Sequence, residues 1–426
     1  MINNLKNNTM LNNIFSLGSA TLINAILTFL VGILTRNVLG PELYGYWLTI
    51  SLIFTFTPIL QLGTLNAMNR EVPFYLARND IKIVYDIRSS VFSFMFTIPL
   101  FSVLLLLVLS GILFFTDIRF EYKIGLMIAS LIAGFTYISS YVEMYYKSEQ
   151  NFRKASKIIS IKSISQSILT VLFVYIFGYT GLYFGMLFSL IIEVALAKET
   201  FPKLGAKHTY KEYMDLIRVG FPILLVGIIW SIMIATDRII ISIYMTPEDL
   251  GNYGVGMLVF STMMLIPQVI SQVFYPKIVE LVSKRNFIEI KRFYWKINKI
   301  LALIMFFIVI IGYLLLPYFI TWFMPEYING IKAAQILLIG IYPLTLVGVS
   351  ANYFNATNNQ KVYIFIQIIG ILLNVIIGVL LLKINNFITS ISYATSISFA
   401  IYCILMNTFF IIKIKETIKK EPAASN

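Results

Sequence analysis

The stretch Gly220–Tyr244, GFPILLVGIIWSIMIATDRIIISIY, decides the fold. It continues an apolar run that begins at about Leu216, long enough for a helix to cross a bilayer, which takes about 20 residues. Inside it stand Asp237 and Arg238. A charge near the middle of such a helix costs roughly 2.5–3.5 kcal/mol on insertion scales, so it normally faces a partner or a watery cavity. Near the start of the chain, Arg36 closes the first apolar run, and the residues after both arginines read alike.

The rest of the chain has the same character. Of 426 residues, 58% are hydrophobic and 12% charged, whereas a soluble domain carries about 25% charged residues. Apolar runs fall at about 12–35, 43–65, 89–115, 122–146, 158–178, 180–199, 216–243, 251–275, 298–321, 330–352, 362–382 and 388–412, leaving no room for a separate soluble domain. Backbone groups in lipid must be bonded internally, which permits only helices or closed barrels. These runs are far too long for barrel strands. The expected fold class is all-α integral membrane, a bundle of about twelve transmembrane helices. The opening MINNLKNNTMLN is polar and has no small-residue cleavage site, so the segment after it reads as a retained helix.

The net charge of +13 could suit nucleic acid, but its placement points to topology. About three-quarters of the 33 basic residues fall in alternate loops and at the two ends, among them Arg78, Arg153, Lys211, Lys284, Arg292 and Lys419. The remaining loops hold few, and they are short. By the positive-inside rule both termini are cytoplasmic, and no nucleic-acid partner is expected. One cysteine, Cys403, excludes an internal disulfide and a cysteine metal cluster, and the lone His208 offers no histidine site. No GxxxxGK[ST], HExxH or GxSxG pattern occurs. ATP hydrolysis and hydrolase chemistry therefore lack support, and no enzyme activity, cofactor or metal is expected.

The chain also repeats itself. Pro41-Glu42-Leu43-Tyr44-Gly45 corresponds to Pro247-Glu248-Asp249-Leu250-Gly251, and Tyr145–Arg153 to Tyr353–Lys361. Mid-helix Gln166 faces Asn374 at the same spacing, and Arg36 pairs with Arg238. Four matches in order at nearly one offset divide the chain into halves of six spans, 1–210 and 211–426. Six being even, the halves are parallel repeats, an arrangement found in secondary transporters. A duplicated scaffold with no transport role is the bland alternative.

Polar residues mark some spans more than others. The first carries Asn13, Ser16, Ala20, Asn24, Thr28 and Thr35 on one face; the seventh has Ser231, Ala235, Arg238 and Ser242; the second has Pro58 and Gln61. The eighth has Pro267, Gln268, Ser271 and Gln272. Such faces either pack against neighbours or line a wet path, for which the candidate substrate contacts are Arg36, Arg238, Asn24, Gln61, Gln268 and Gln272. Glu143, Lys162 and Glu193 are the other charges within spans. They either snorkel or pair near the interface, or, with Asp237, the carboxylates Glu193 and Glu143 couple transport to a cation. Gly181 and Gly185 form a small-xxx-small pair suited to helix packing.

The motifs Arg36-Asn-Val-Leu-Gly-Pro-Glu-Leu-Tyr-Gly45, Leu60-Gln-Leu-Gly63, Gly220-Phe-Pro222, Thr236-Asp-Arg238, Leu250-Gly-Asn-Tyr253 and Pro267…Gln272…Pro276 resemble those of Wzx-type polysaccharide flippases. These belong to the multidrug/oligosaccharidyl-lipid/polysaccharide exporter superfamily, and the resemblance covers nearly the whole chain. It implies two six-helix bundles around a central cavity, working by alternating access in a bacterial inner membrane. The implied cargo is an undecaprenyl-pyrophosphate-linked oligosaccharide for O-antigen or other surface polysaccharide. A polysaccharide polymerase, a chain-length regulator and membrane lipids are the implied partners. Arginine holds phosphate in bidentate fashion, so the resemblance points to Arg36 and Arg238 for the pyrophosphate. Multidrug exporters of the same superfamily share the plan but favour an acidic cavity. A polymerase or glycosyltransferase would need an external loop and a catalytic carboxylate cluster that the sequence lacks.

Overall fold

The computed structural model describes residues 2–202, 210–357 and 359–420, with side chains from 24 onward other than those of 272 and 420. Among the described residues, eleven helical stretches are long and apolar enough to cross a membrane. They overlap all twelve expected spans, the first two sharing one stretch, Asn24–Gln61. No loop parts them. Helix α1 (Ile2–Phe56) runs on through a break at Gly40, whose φ of 70° leaves the helical region, with Pro41 directly after it. Proline lacks the N–H a helix interior needs but suits the first turn of a new one, so the break restarts the helix rather than ending it. At the equivalent repeat position, Pro247 opens α9 behind a capping box in which Thr246 and Asp249 bond each other's backbone N–H groups.

The chain divides into two compact units, Met1–Ile228 and Ile229–Asn426. In the first, α1 is followed by α2 (Thr64–Ala77), α3 (Ile81–Met95), α4 (Ile98–Leu113), α5 (Phe120–Ser148), α6 (Phe152–Phe177) and α7 (Tyr179–Leu196). Helix α8 (Tyr210–Tyr244) starts in this unit and ends in the second. There follow α9 (Pro247–Ser283), α10 (Phe287–Phe323), α11 (Ile331–Thr345), α12 (Gly348–Ala356), α13 (Gln360–Ile384) and α14 (Ile388–Lys420).

Lipid tails are as apolar as leucine, so helices here are joined by close packing and polar contacts rather than by the hydrophobic effect. The pattern of exposure follows. Helix α10 is the most apolar window, yet only 22% of it is buried. Leu303, Phe307, Ile311 and Leu314 face outward, and Leu301, Met305, Val309 and Ile320 face in. In the first unit α6 lies along α7, α1 and α5. The α6–α7 seam is tight where Gly181 and Gly185 sit. A Cβ on Gly181 would collide with the Phe173–Val174 backbone, and one on Gly185 with that of Thr170. In the second unit α14 packs on α11 and α13, while α9 packs on α11 and α12.

Two motifs distant in sequence also meet. The φ of +86° at Gly63 ends the turn after Gln61, and the Gly63 carbonyl lies against Gly220, so that a Cβ on either glycine would strike the other's backbone.

Candidate functional site

Three groups of polar side chains stand out among the described residues, and each lies within a single unit. The first holds Asp237 and Arg238. Asp237 is only 2% exposed, and an isolated carboxylate at such a place would be costly. It is answered from α9 and from its own backbone: the Tyr253 hydroxyl donates to Oδ2 at 2.5 Å, and the Arg238 N–H donates to Oδ1 at 2.7 Å. The Thr395 hydroxyl of α14 donates to Asn374 Oδ1 of α13 at 3.5 Å, and all these groups except Arg238 are buried. Arg238 itself is half-buried, and its Nε finds no hydrogen-bond partner.

Arg36, its counterpart in the repeat, is placed differently. It is 4% exposed, donates from an Nη atom to the Gly32 carbonyl at 2.8 Å, and lies over the Tyr44 ring at 4.1 Å. It therefore reaches across the Gly40 break and ties the two parts of α1 together through a cation–π contact. Gln61 is buried as well, its Oε1 accepting the Leu65 N–H at 3.0 Å at the start of α2. Asn24 is half-buried with an unbonded Oδ1. The side chain of Gln272 lies outside the described residues, as do those of Asn13, Ser16 and Ala20.

The second place is a cavity of about 260 Å³ in the second unit, lined by Trp230 of α8, Gln268 and Ser271 of α9, Asn352 and Asn355 of α12, and Tyr363 of α13, among others. Pro267 sits in its wall beside the exposed Gln268. Asn352 Nδ2 donates to Ser271 Oγ at 2.8 Å and to its carbonyl at 3.1 Å, which fixes the amide and turns its oxygen away. Behind the wall, Trp230 packs on Tyr402 with ring centroids 6.3 Å apart. None of the lining residues is charged. Aromatic faces with a few placed amides and hydroxyls are the usual make-up of a small-molecule site. Of this lining only Gln268 and Ser271 stood out in the sequence as polar residues on a span face. Trp230 lies hidden in an apolar run, and Asn352 and Asn355 read as a helix end.

The third place joins α5, α6 and α7 in the first unit. Lys162 contacts Glu143 directly and lies 3.5 Å from Glu193 Oε2. Lys147 holds the other oxygen of Glu143 at 2.9 Å. Ser139 donates to Glu193 Oε2 at 2.5 Å and accepts from Lys162 at 3.2 Å. Three charges that are separate in sequence thus form one cluster. Among the described residues no group of three or more His, Cys, Asp or Glu side chains could hold a metal ion.

The helical architecture defines the class: a multi-pass membrane protein, an all-helical bundle. The structure superposes on an inward-facing multidrug resistance MATE family transporter of the MOP superfamily with a TM-score of 0.77, at 13% identity, over 94% of this chain and 96% of that one. The outward-facing conformation of a MATE family transporter of the MOP superfamily gives 0.68 at 13% identity, covering 96% of each chain. A MATE structure in a straight conformation gives 0.69 at 13%, again covering 96% of each chain. At such low identity the likeness is one of fold. No curated protein matches the chain. Residues 10–282, well over half of the sequence, match the family described as polysaccharide biosynthesis protein, and the chain belongs to that family.

Proposed function

We propose that the protein is a flippase of the Wzx type, moving an oligosaccharide linked to undecaprenyl pyrophosphate from the cytoplasmic to the periplasmic leaflet of a bacterial inner membrane by alternating access. The observation that carries this reading is the uncharged cavity of Trp230, Gln268, Asn352, Asn355 and Tyr363, in a chain of the polysaccharide biosynthesis family. An aromatic face and fixed amides suit a sugar ring, whose hydroxyls need donors and acceptors and whose C–H face needs an apolar plane. An exporter of organic cations would be expected to offer a carboxylate there, and this lining has none.

The anionic pyrophosphate falls to arginine. Arg238 is better placed than Arg36, since it is only half-buried while Arg36 is 4% exposed and engaged by Gly32 and Tyr44. Asn24, Gln61, Gln268 and Gln272 complete the substrate path in this reading. The product would pass to a polysaccharide polymerase and a chain-length regulator on the outer side. Arg238→Ala should abolish surface polysaccharide at unchanged protein level, with lipid-linked precursor accumulating in the inner leaflet. Arg36→Ala should instead lower the amount of folded protein. Normal polysaccharide from the Arg238→Ala protein would remove arginine from the mechanism. Loss of drug resistance in place of polysaccharide would favour the multidrug reading.

A further inference from the structure

We propose that Glu193, with Ser139, Lys162 and Glu143 around it, forms a proton-binding site, and that a proton rather than a metal cation is the ion this protein loads and unloads there. The proposal goes beyond the flippase reading and holds whatever the cargo is.

Glu193 is the anomaly of the cluster. Its side chain is 0% exposed, and its Oε1 is buried with no hydrogen-bond partner. The neighbouring carboxylate is served far better. Glu143 accepts from Lys162 on one oxygen and from Lys147 on the other. Glu193 has only the Ser139 hydroxyl within hydrogen-bond reach, the Lys162 ammonium standing off at 3.5 Å. One half-buried ammonium therefore serves two carboxylates and sits closer to one of them. Lys147 does not redress the balance at Glu193, because it is 37% exposed and pairs on the far side of Glu143.

The helix ends add to this. Glu193 lies in the last turn of α7, which ends at Leu196, where the helix dipole carries partial negative charge and disfavours an anion. An ionised Glu193 would bury a bare oxygen beside a second carboxylate, and removing one partner of a buried ion pair or leaving a charge uncompensated costs several kcal/mol in general. A proton on Glu193 removes that conflict. It leaves one ammonium shared with one carboxylate, and the carboxyl group can donate to Ser139 Oγ.

The remaining charged groups do not offer an alternative counter-ion. The elements packed on α7 are α1, α5 and α6. Those facing Glu193 are Glu143 from α5, with Lys147 beyond it, and Lys162 from α6. On α1, Arg36 is committed to Gly32 and Tyr44, and Glu42 accepts from Tyr46. Glu199, just past α7, pairs with Lys154 and Tyr146.

Why the ion is a proton follows from what already fills the place. A hard metal cation such as sodium, magnesium or calcium needs a shell of several oxygens converging on one point. Here the point between the carboxylates and Ser139 is taken by the Lys162 Nζ, an ammonium with three donors and no acceptor. A second cation would have to expel it. A proton needs only a lone pair, which Glu193 has. The relay is short: Glu143 and Lys162 are each 20% exposed, and Ser139 links Lys162 to Glu193.

The test uses the full-length protein in lipid nanodiscs, read by infrared spectroscopy in the carbonyl-stretch region of protonated carboxylic acids. The wild type at neutral pH should show a buried carboxylic acid band that shifts in heavy water and disappears as pH is raised. Glu193→Gln should remove it and Asp237→Asn leave it in place, whereas Glu143→Gln, which frees Lys162 to pair with Glu193, should weaken it. Ser139→Ala, which keeps the carboxyl but removes its hydroxyl partner, should shift the band in frequency, and this variant decides the matter if Glu193→Gln does not fold. Raising sodium at constant pH should change nothing. No band at neutral pH, a band that survives Glu193→Gln, or a band that sodium removes would each overturn the proposal. Export of polysaccharide is scored separately, so a failure here leaves the cargo assignment standing and the reverse is also true.

Discussion

At the scale of single residues, the chain's charges divide by the company they keep. The repeat makes Arg36 and Arg238 look equivalent, and hydropathy places both near the ends of apolar runs. Their surroundings separate them: one guanidinium is buried and spent on Gly32 and Tyr44, whereas the other is only half-buried. Sequence gives a residue's depth along a helix but not which neighbour its face meets. The same limit kept Glu143, Lys162 and Glu193 apart in the sequence, although each was visible as an intramembrane charge. Outside the spans, the turn after α7 offers a simpler electrostatic test. The Lys154 ammonium, with help from the Tyr146 hydroxyl, holds the Glu199 carboxyl below its usual value. A carboxylate with a depressed value contributes above its unfolded value, about 4.3 for glutamate, and the contribution fades as pH falls through the folded one. Protection of the 197–201 backbone against hydrogen exchange, taken relative to the intrinsic rate at each pH, should therefore fall on acidification toward pH 3 in the wild type. In Lys154→Ala that segment should exchange fast already at neutral pH. Equal exchange in the two proteins at pH 7 would show that the tie does not hold the turn.

At the scale of elements, apolar length was the dependable signal, because the bilayer compels a helix wherever about 20 apolar residues run together. Every expected span is largely helical, although 89–115 is split between α3 and α4 and 330–352 between α11 and α12. The join of the first two was less legible, since a positive-φ glycine followed by proline can end a helix or merely break it. Here α1 resumes at once. Small-residue spacing was also readable, and the α6–α7 seam shows what it serves. Gly185→Leu must push α7 off the Thr170 backbone, and overpacking of this kind costs about 1–3 kcal/mol. Thermal unfolding in detergent should fall accordingly, with Gly111→Leu, where a side chain meets open space, as the neutral control. If the two variants melt alike, the seam is looser than the geometry implies.

At the scale of the whole molecule, the repeated Pro-Glu-x-x-Gly segments both start a span, at the Gly40 break and at the cap of α9. The later repeat segments likewise sit at corresponding places, just before α6 and α13. The all-helical membrane fold was thus legible from hydropathy. The cavity was not, because Trp230, Asn352 and Tyr363 come from three helices and only folding brings them to one wall. Its uncharged surface is the ground on which we propose a saccharide rather than a cation as cargo.

The most direct test of that account is translocation itself. Purified protein is reconstituted into liposomes carrying a lipid-linked oligosaccharide, and the sugar exposed on the outer leaflet is measured with a membrane-impermeant glycosidase or lectin. The account predicts that the wild type equilibrates cargo between leaflets. Trp230→Ala should slow this at least tenfold, and carrier lipid bearing pyrophosphate without sugar should move little faster than in protein-free vesicles. Cargo that stays on its starting leaflet with folded wild-type protein present, or equal transport by wild type and Trp230→Ala, would contradict it.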